Sequence, residues 1–140
     1  MRIYLIGSLR NEKLPELGNE LRREGYEVFD DWFAAGPEAD DYWQRYEMAR
    51  GHTYAESLHG LAAGHVFEFD RKHLYDADAG ILVLPAGRSA HIELGVLIGR
   101  GKKTYILLDG EPERFDVMYR CVNDVFTNKI DLFAVLKMNS

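Results

Sequence analysis

The sequence predicts a doubly wound α/β domain, a parallel sheet of about five strands flanked by helices, and three observations predict it. Ala79-Gly80-Ile81-Leu82-Val83-Leu84 is a continuous apolar run stopped by Pro85-Ala86-Gly87, the pattern of a strand buried on both faces. Ile3-Tyr4-Leu5-Ile6 is a similar run that breaks at Gly7-Ser8 and leads through an amphipathic stretch to another short apolar segment, which makes a β-α-β unit. Thr104-Tyr105-Ile106-Leu107-Leu108 is a third run, so strands and helices alternate and right-handed crossovers should join parallel neighbours. A length of 140 residues suits a single domain, 1–140, with a sizeable core.

In chain order, residues 12–24 place Leu14, Leu17 and Leu21 on one helical stripe that Gly25 ends, and Tyr26-Glu27-Val28-Phe29 is the next strand. The turn Gly7-Ser8-Leu9-Arg10 offers free backbone N–H groups and a basic side chain at a strand's carboxyl end. Gly7, Ser8 and Arg10 are therefore candidate binders, beside the plain alternative of a tight turn. Residues 30–43 break the α/β rhythm with two Trp, a Phe, a Tyr and five acids around Gly36-Pro37. Such a mixture suits a pocket for a flat ring, where aromatics stack and carboxylates accept from ring N–H groups; an amphipathic cover explains Trp43 and Tyr46 equally well. Asp31 and Trp32, just past a strand end, favour the pocket. Residues 42–61 read as a helix whose Arg45, Glu47, Arg50, His52 and His59 form a solvated face, and residues 65–75 as another with Val66, Phe69 and Leu74 inward. Asp70 on that helix is either a surface partner of His73 three residues on or a functional acid.

After the central strand, Arg88-Ser89-Ala90-His91-Ile92-Glu93-Leu94-Gly95 carries helical signals: Ser89 as cap, Ile92, Val96 and Leu97 at helical spacing, and Gly99 and Gly101 as a stop before Lys102-Lys103. Ligands of open α/β sheets sit outside the carboxyl ends of the strands against helix amino termini, so residues 88–93 lie where a ligand would be. Glu93 needs an explanation. A capping box wants its acid three residues after the cap, and from Ser89 that position is Ile92. Between apolar neighbours its carboxylate must be paired, neutral or employed. Residues 104–108 form the fourth strand, Met118 and Tyr119 belong to a short helical piece, Val125-Phe126 is a fifth strand and residues 130–136 a closing helix.

The composition excludes several classes. Net charge of −6 and a pI near 5.3 argue against a nucleic-acid polymer as partner. Cys121 is the single cysteine, which excludes a disulfide framework and a zinc ribbon, and it has no identifiable base to activate it. Five histidines show no His-Glu-x-x-His spacing, so neither a metal nor any other cofactor is expected. Gly-rich phosphate loops of the kinase and dehydrogenase types are absent. The apolar run at the amino terminus is too short for a signal peptide and no window approaches a membrane span, so a cytoplasmic location is expected.

Ile3-Tyr4-Leu5-Ile6-Gly7, Asp70, and the segment from Arg88 through Glu93-Leu94-Gly95 to Gly99-Arg100-Gly101-Lys102 resemble the nucleoside 2-deoxyribosyltransferase family and its nucleotide N-hydrolase relatives, over roughly residues 3–108. The resemblance implies a flavodoxin-like sheet and an N-glycosyl-cleaving enzyme acting on a nucleoside or its 5′-monophosphate. It implies that Glu93 is the nucleophile at the anomeric carbon, Asp70 the second carboxylate near the leaving base, and Tyr4 the donor that orients Glu93. An oxocarbenium-like state suits these residue types, since a carboxylate stabilises and traps it while an acid protonates the base. It further implies a homodimer or higher oligomer in which a neighbour's carboxyl-terminal segment, here residues 118–123, closes the pocket. Two departures matter. The transferases carry an aspartate six residues before the nucleophile and the hydrolases a phosphate-binding serine; Gly87 stands there instead. The first turn is more like that of the hydrolases, and Arg88, Ser89 and His91 could donate to a phosphate, so nucleoside and monophosphate both stay open, as do transfer and hydrolysis. Two rivals remain: a glycohydrolase that cleaves NAD, and a non-catalytic nucleotide-binding module.

Overall fold

A computed structural model describes residues 1–139. Five strands form one parallel sheet in the order β2-β1-β3-β4-β5: β1 (Arg2–Ile6), β2 (Glu27–Phe29), β3 (Ala79–Val83), β4 (Lys103–Leu107) and β5 (Asp124–Phe126). The expected doubly wound, flavodoxin-like α/β architecture is therefore observed. Alternate side chains of the central strands feed two cores. Ile3, Leu5, Ile81 and Val83 meet Leu14, Leu17 and Leu21 of α1 (Lys13–Arg23) and Leu132 and Leu136 of α6 (Lys129–Met138) on one face. Tyr4, Ile6, Leu82 and Ile106 meet Leu74 of α4 (Leu61–Asp76) and Ala90, Leu94 and Leu97 of α5 (Arg88–Gly99) on the other.

This winding creates the crevice. The chain leaves β1 toward the α1 face and leaves the adjacent β3 toward the α5 face, so the two connections diverge beyond the carboxyl ends of neighbouring strands. Two glycines permit the close approaches involved. A Cβ on Gly7 would lie 2.8 Å from a Leu14 methyl, and one on Gly80 would lie 2.3 Å from a methyl of fully buried Leu97, so only glycine lets α5 settle this low on β3.

Several local expectations change. The helix start after β3 is capped by Gly87 with no side-chain bond, which makes Ser89 a first-turn residue and not the cap. Ile92 is 68% exposed, and the buried stripe of α5 is Ala90, Leu94 and Leu97. The single helix expected over 42–61 is two. The first, α2 (Gly36–Ala49), follows a 3-10 turn (Asp31–Ala35); Gly51 then takes a left-handed φ of 80°, and Thr53 with Glu56 forms a capping box that starts α3 (Tyr54–Leu58). Within its expected solvated face Glu47 is an exception. It is buried and held by His52 Nδ1 at 2.7 Å and Arg50 Nη1 at 3.4 Å. Val66 and Phe69 do not enter the core: only Leu74 of the three expected inward residues on α4 is buried. Asp30 leaves the aromatic segment to pair with Arg22, which also donates to the Val28 carbonyl.

Candidate active site

The cleft beyond β1 and β3 has a volume of about 600 Å³. It is lined by the carboxyl end of β1, the turn after it, the start of α2, α4, and the first two turns of α5 with their cap; Gly87, Arg88 and Ser89 are exposed at its rim. Of the residues singled out in the sequence, Tyr4, Gly7, Ser8, Arg10, Asp31, Trp32, Asp70, Gly87, Arg88, Ser89 and Glu93 line it. His91 does not. Its Nδ1 lies 2.7 Å from the Gly87 carbonyl oxygen and its Nε2 2.8 Å from the Tyr119 hydroxyl, so both ring nitrogens are engaged by the protein itself and the expected phosphate donor is otherwise occupied.

Tyr4 sits on β1 with its ring buried between the sheet and α4, and its hydroxyl donates to Glu93 Oε2 at 2.6 Å. Burial, then the neighbouring Glu93 charge, pushes the Tyr4 phenol far above its ordinary value, so it stays a donor at every working pH. Glu93 lies in the second turn of α5, past the reach of the helix dipole, which fades within the first turn. Burial therefore dominates and raises the Glu93 carboxyl to about 7, against the lowering effect of the Tyr4 bond and with a further upward push from the Asp70 charge. Desolvation, not the helix amino terminus, therefore sets how readily this carboxyl ionises. Asp70 is also raised, by burial, with His73 pulling it back down. Two carboxyl groups with raised pKa values, one clamped by a phenol, share one cleft. Such a pair can divide nucleophile and acid roles between its members.

Trp32 is fixed by its indole N–H, which donates to the Leu5 carbonyl at 2.9 Å and so satisfies the end of β1. That nitrogen is spent, and the ring face is what Trp32 offers a ligand. The wall on α4 carries residues that the sequence analysis did not assign to a site: His65, Val66 and Phe69 line the cleft beside Asp70. Their spacing held the signal, since 65, 66, 69 and 70 fall on one helical face, but Val66 and Phe69 read more simply as core. Behind this wall the His73 ring stacks on Phe29 at 4.0 Å, and Phe29 packs against Tyr4 at 5.1 Å. An aromatic ladder therefore backs the Tyr4–Glu93 pair. Among the described residues no group of three or more His, Cys, Asp or Glu side chains could hold a metal ion, and no helix is long and apolar enough to cross a membrane.

No family model matches the chain, and no curated protein matches it by sequence. Solved structures do. A 2-deoxyribosyltransferase from the psychrotolerant bacterium Bacillus psychrosaccharolyticus superposes with a TM-score of 0.62 at 18% identity, over 94% of this chain and 90% of that one. A Clostridium botulinum CMP N-glycosidase, BcmB, superposes with a TM-score of 0.59 at 16% identity, over 98% and 99%. At these identities the likeness establishes a common fold across nearly the whole chain. The two neighbours are a transferase and an N-glycosidase, the two branches of the family that the sequence resembles.

Proposed function

We propose that the protein breaks the N-glycosidic bond of a nucleoside 5′-monophosphate, and more slowly that of the nucleoside, through Glu93. The Glu93 carboxylate attacks C1′ as the C1′–N bond breaks, its electron pair leaves with the base, and Asp70 supplies a proton to the base nitrogen. Water, giving its proton back to Asp70, or a second base then attacks C1′ and releases Glu93; two displacements at one carbon retain configuration. The observation that carries this reading is the desolvated Glu93, held by the Tyr4 hydroxyl, in one open cleft with Asp70, whose charge acts on it. The 2-deoxyribosyltransferase and CMP N-glycosidase neighbours support the reaction class, and the residue-level resemblance supports the roles.

The preference for a phosphorylated substrate rests on charge. In a chain of net charge −6, Arg10 and Arg88 stand exposed on the cleft rim, and among the described residues neither guanidinium has an ion-pair partner. Arg88 opens the first turn of α5, whose N–H groups have no intrahelical acceptors, and Arg10 lines the same cleft. Two free cations in a cleft that also presents a helix amino terminus suit a phosphate dianion.

Deoxyribonucleosides, ribonucleosides and their 5′-monophosphates, incubated with and without an added acceptor base, should release base fastest from a monophosphate when separated by chromatography. The Glu93→Ala protein should release none. Equal release by both proteins would remove Glu93 from the mechanism, faster turnover of nucleosides would remove the phosphate preference, and no release from any substrate would leave a binding module. New nucleoside or nucleotide in the acceptor arm would mark a transferase, and free sugar alone a hydrolase.

The same reading includes a homo-oligomer. Tyr54, Leu61, Phe67, Ile92 and Met118, all more than 60% exposed, are apolar side chains that a second copy could cover. Light scattering after size exclusion should give at least twice the 16.1 kDa chain mass, and a monomer at micromolar concentration would end this part of the proposal.

A further inference from the structure

The entry to α5, where Gly87 leads into Arg88 and Ser89, has no side-chain cap to hold it. Pro85, Gly87, Arg88 and Ser89 are exposed, and Gly87 takes an extended conformation. Ahead of the hydrogen-bond ladder of α5 itself, its polar anchors among the described residues converge on one atom. The Gly87 carbonyl oxygen accepts from the His91 backbone N–H at 3.3 Å and sits 2.7 Å from His91 Nδ1. A carbonyl only accepts, so Nδ1 must carry a proton; in the neutral ring Nε2 is then an acceptor, and the Tyr119 hydroxyl 2.8 Å away must donate to it. Burial and the Asp116 charge hold the Tyr119 phenol above its ordinary value, which keeps it a donor. The two rings lie 17° from parallel.

Tyr119 itself is on a fixed platform. It belongs to the second 3-10 turn (Val117–Cys121), whose start is capped by Asp116 Oδ1 accepting from Met118 N at 2.9 Å. Past its end, Val122 enters the core beside Leu94 and Leu97, and Asn123 exchanges hydrogen bonds of 2.9 Å with Thr104 at the start of β4. A rigid segment thus reaches across the outside of α5 and holds, through one imidazole, the backbone oxygen at the cleft rim.

We propose that His91 and Tyr119 form a clasp that positions the Gly87–Ser89 turn for binding the anionic end of the substrate. This rests on the reading above that Arg88 and the α5 amino terminus meet a phosphate. His91 is a positioning residue: it touches no substrate and acts through the Gly87 carbonyl. Glu93 is two residues further on but is fixed separately by Tyr4, so the clasp governs affinity at the rim and leaves the reacting pair in place. Removing it lets the turn sample conformations in which the Arg88 N–H and guanidinium point elsewhere, and the phosphate then meets a less organised site.

Tyr119→Phe, His91→Gln and the double variant test the clasp. Ribose 5-phosphate, titrated by calorimetry, should bind about 5- to 20-fold more weakly to each single variant. Because both act through one chain of bonds, the double variant should be no weaker than the weaker single one. KM for the monophosphate should rise by a similar factor while kcat stays within about twofold and the thermal midpoint is unchanged, a split that general loosening would not give. Imidazole nitrogen NMR of the wild type should show His91 protonated at Nδ1. Unchanged ribose 5-phosphate affinity, multiplicative losses in the double variant, or an Nε2-protonated His91 would each overturn the proposal. Absence of turnover in the wild type would instead strike the enzyme reading, and the binding and NMR results would still decide the clasp.

Discussion

Glu93→Gln is expected to abolish base release, by at least about 10³-fold in kcat, and at the same time to make the folded protein more stable above neutral pH. The first effect follows from removing the carboxylate that, on the proposed mechanism, Tyr4 holds for attack on C1′: a carboxamide keeps the shape and the phenol's hydrogen bond but has no charge to stabilise an oxocarbenium-like state. The second is a linkage argument. The Glu93 carboxyl titrates at about 7 in the folded chain against 4.5 ordinarily, so between these values the folded state holds a proton that the unfolded state has lost. Stability therefore falls as pH rises through that window, and above about 7 the wild type carries the full cost of a charged, desolvated carboxylate. At 1.36 kcal/mol per pKa unit the ceiling is about 3 kcal/mol. Partial solvation and the retained Tyr4 contact reduce the expected gain to about 1–2 kcal/mol at pH 8, vanishing near pH 4. Urea unfolding of both proteins at the two pH values reads it. Equal stability at pH 8 would mean that the folded protein solvates Glu93 better than its burial indicates.

The sheet was legible because its signals were long and local: apolar runs in β1, β3 and β4, each stopped by glycine, proline or a polar turn, leave little freedom in a 140-residue domain. Boundaries on the helical side were less legible. Gly51 and the Thr53–Glu56 box could have divided the 42–61 stretch, but its aromatic and charged periodicity carried through the break. In α5, Ile92 matched the apolar period as well as Leu94 did. Choosing between them requires the cap, and a glycine cap makes no side-chain bond that a sequence pattern would reveal. The gathering of Tyr4, Asp70 and Glu93 was readable only through family resemblance, since no spacing links residue 4 to residue 93. Val66 and Phe69 were misassigned for a physical reason. An apolar residue facing a ligand cleft and one facing a core leave the same mark in a helical pattern, and only the missing layer above α4 separates them. His91 was misassigned because a ring beside a helix amino terminus suggests an anion, whereas its partner Tyr119 is 28 residues away.

Asp70→Asn is expected to slow turnover by about 10²- to 10³-fold and to move the acid limb of the pH profile in a direction that identifies the proton's place. On the proposed mechanism kcat/KM requires ionised Glu93 and so should rise with pH up to about 7. Part of that elevation comes from the Asp70 charge, which makes the two carboxyl groups a coupled pair. A substrate base seated beside Asp70 buries it further and favours its protonated form, and once Asp70 is neutral it no longer opposes ionisation of Glu93. Binding thereby drives the proton toward the acid and the charge toward the nucleophile. Asparagine fixes half of that arrangement permanently: the acid limb should shift below 7, toward the ordinary carboxylate value, although the rate falls. Tyr4→Phe should do the opposite, because it removes the one interaction that lowers Glu93, and its limb should move above 7. On the proposed mechanism the expected rate loss in Asp70→Asn has a single cause, the missing proton for the leaving base, and it should be bypassed chemically. A substrate whose base already carries a positive charge, such as an N7-methylated guanine nucleotide, leaves without protonation and should be turned over by Asp70→Asn within about tenfold of wild type. A pH limb unmoved by Asp70→Asn would show that the two carboxyl groups do not sense one another. An equally slow methylated substrate would remove Asp70 from proton transfer and leave it a role in binding alone.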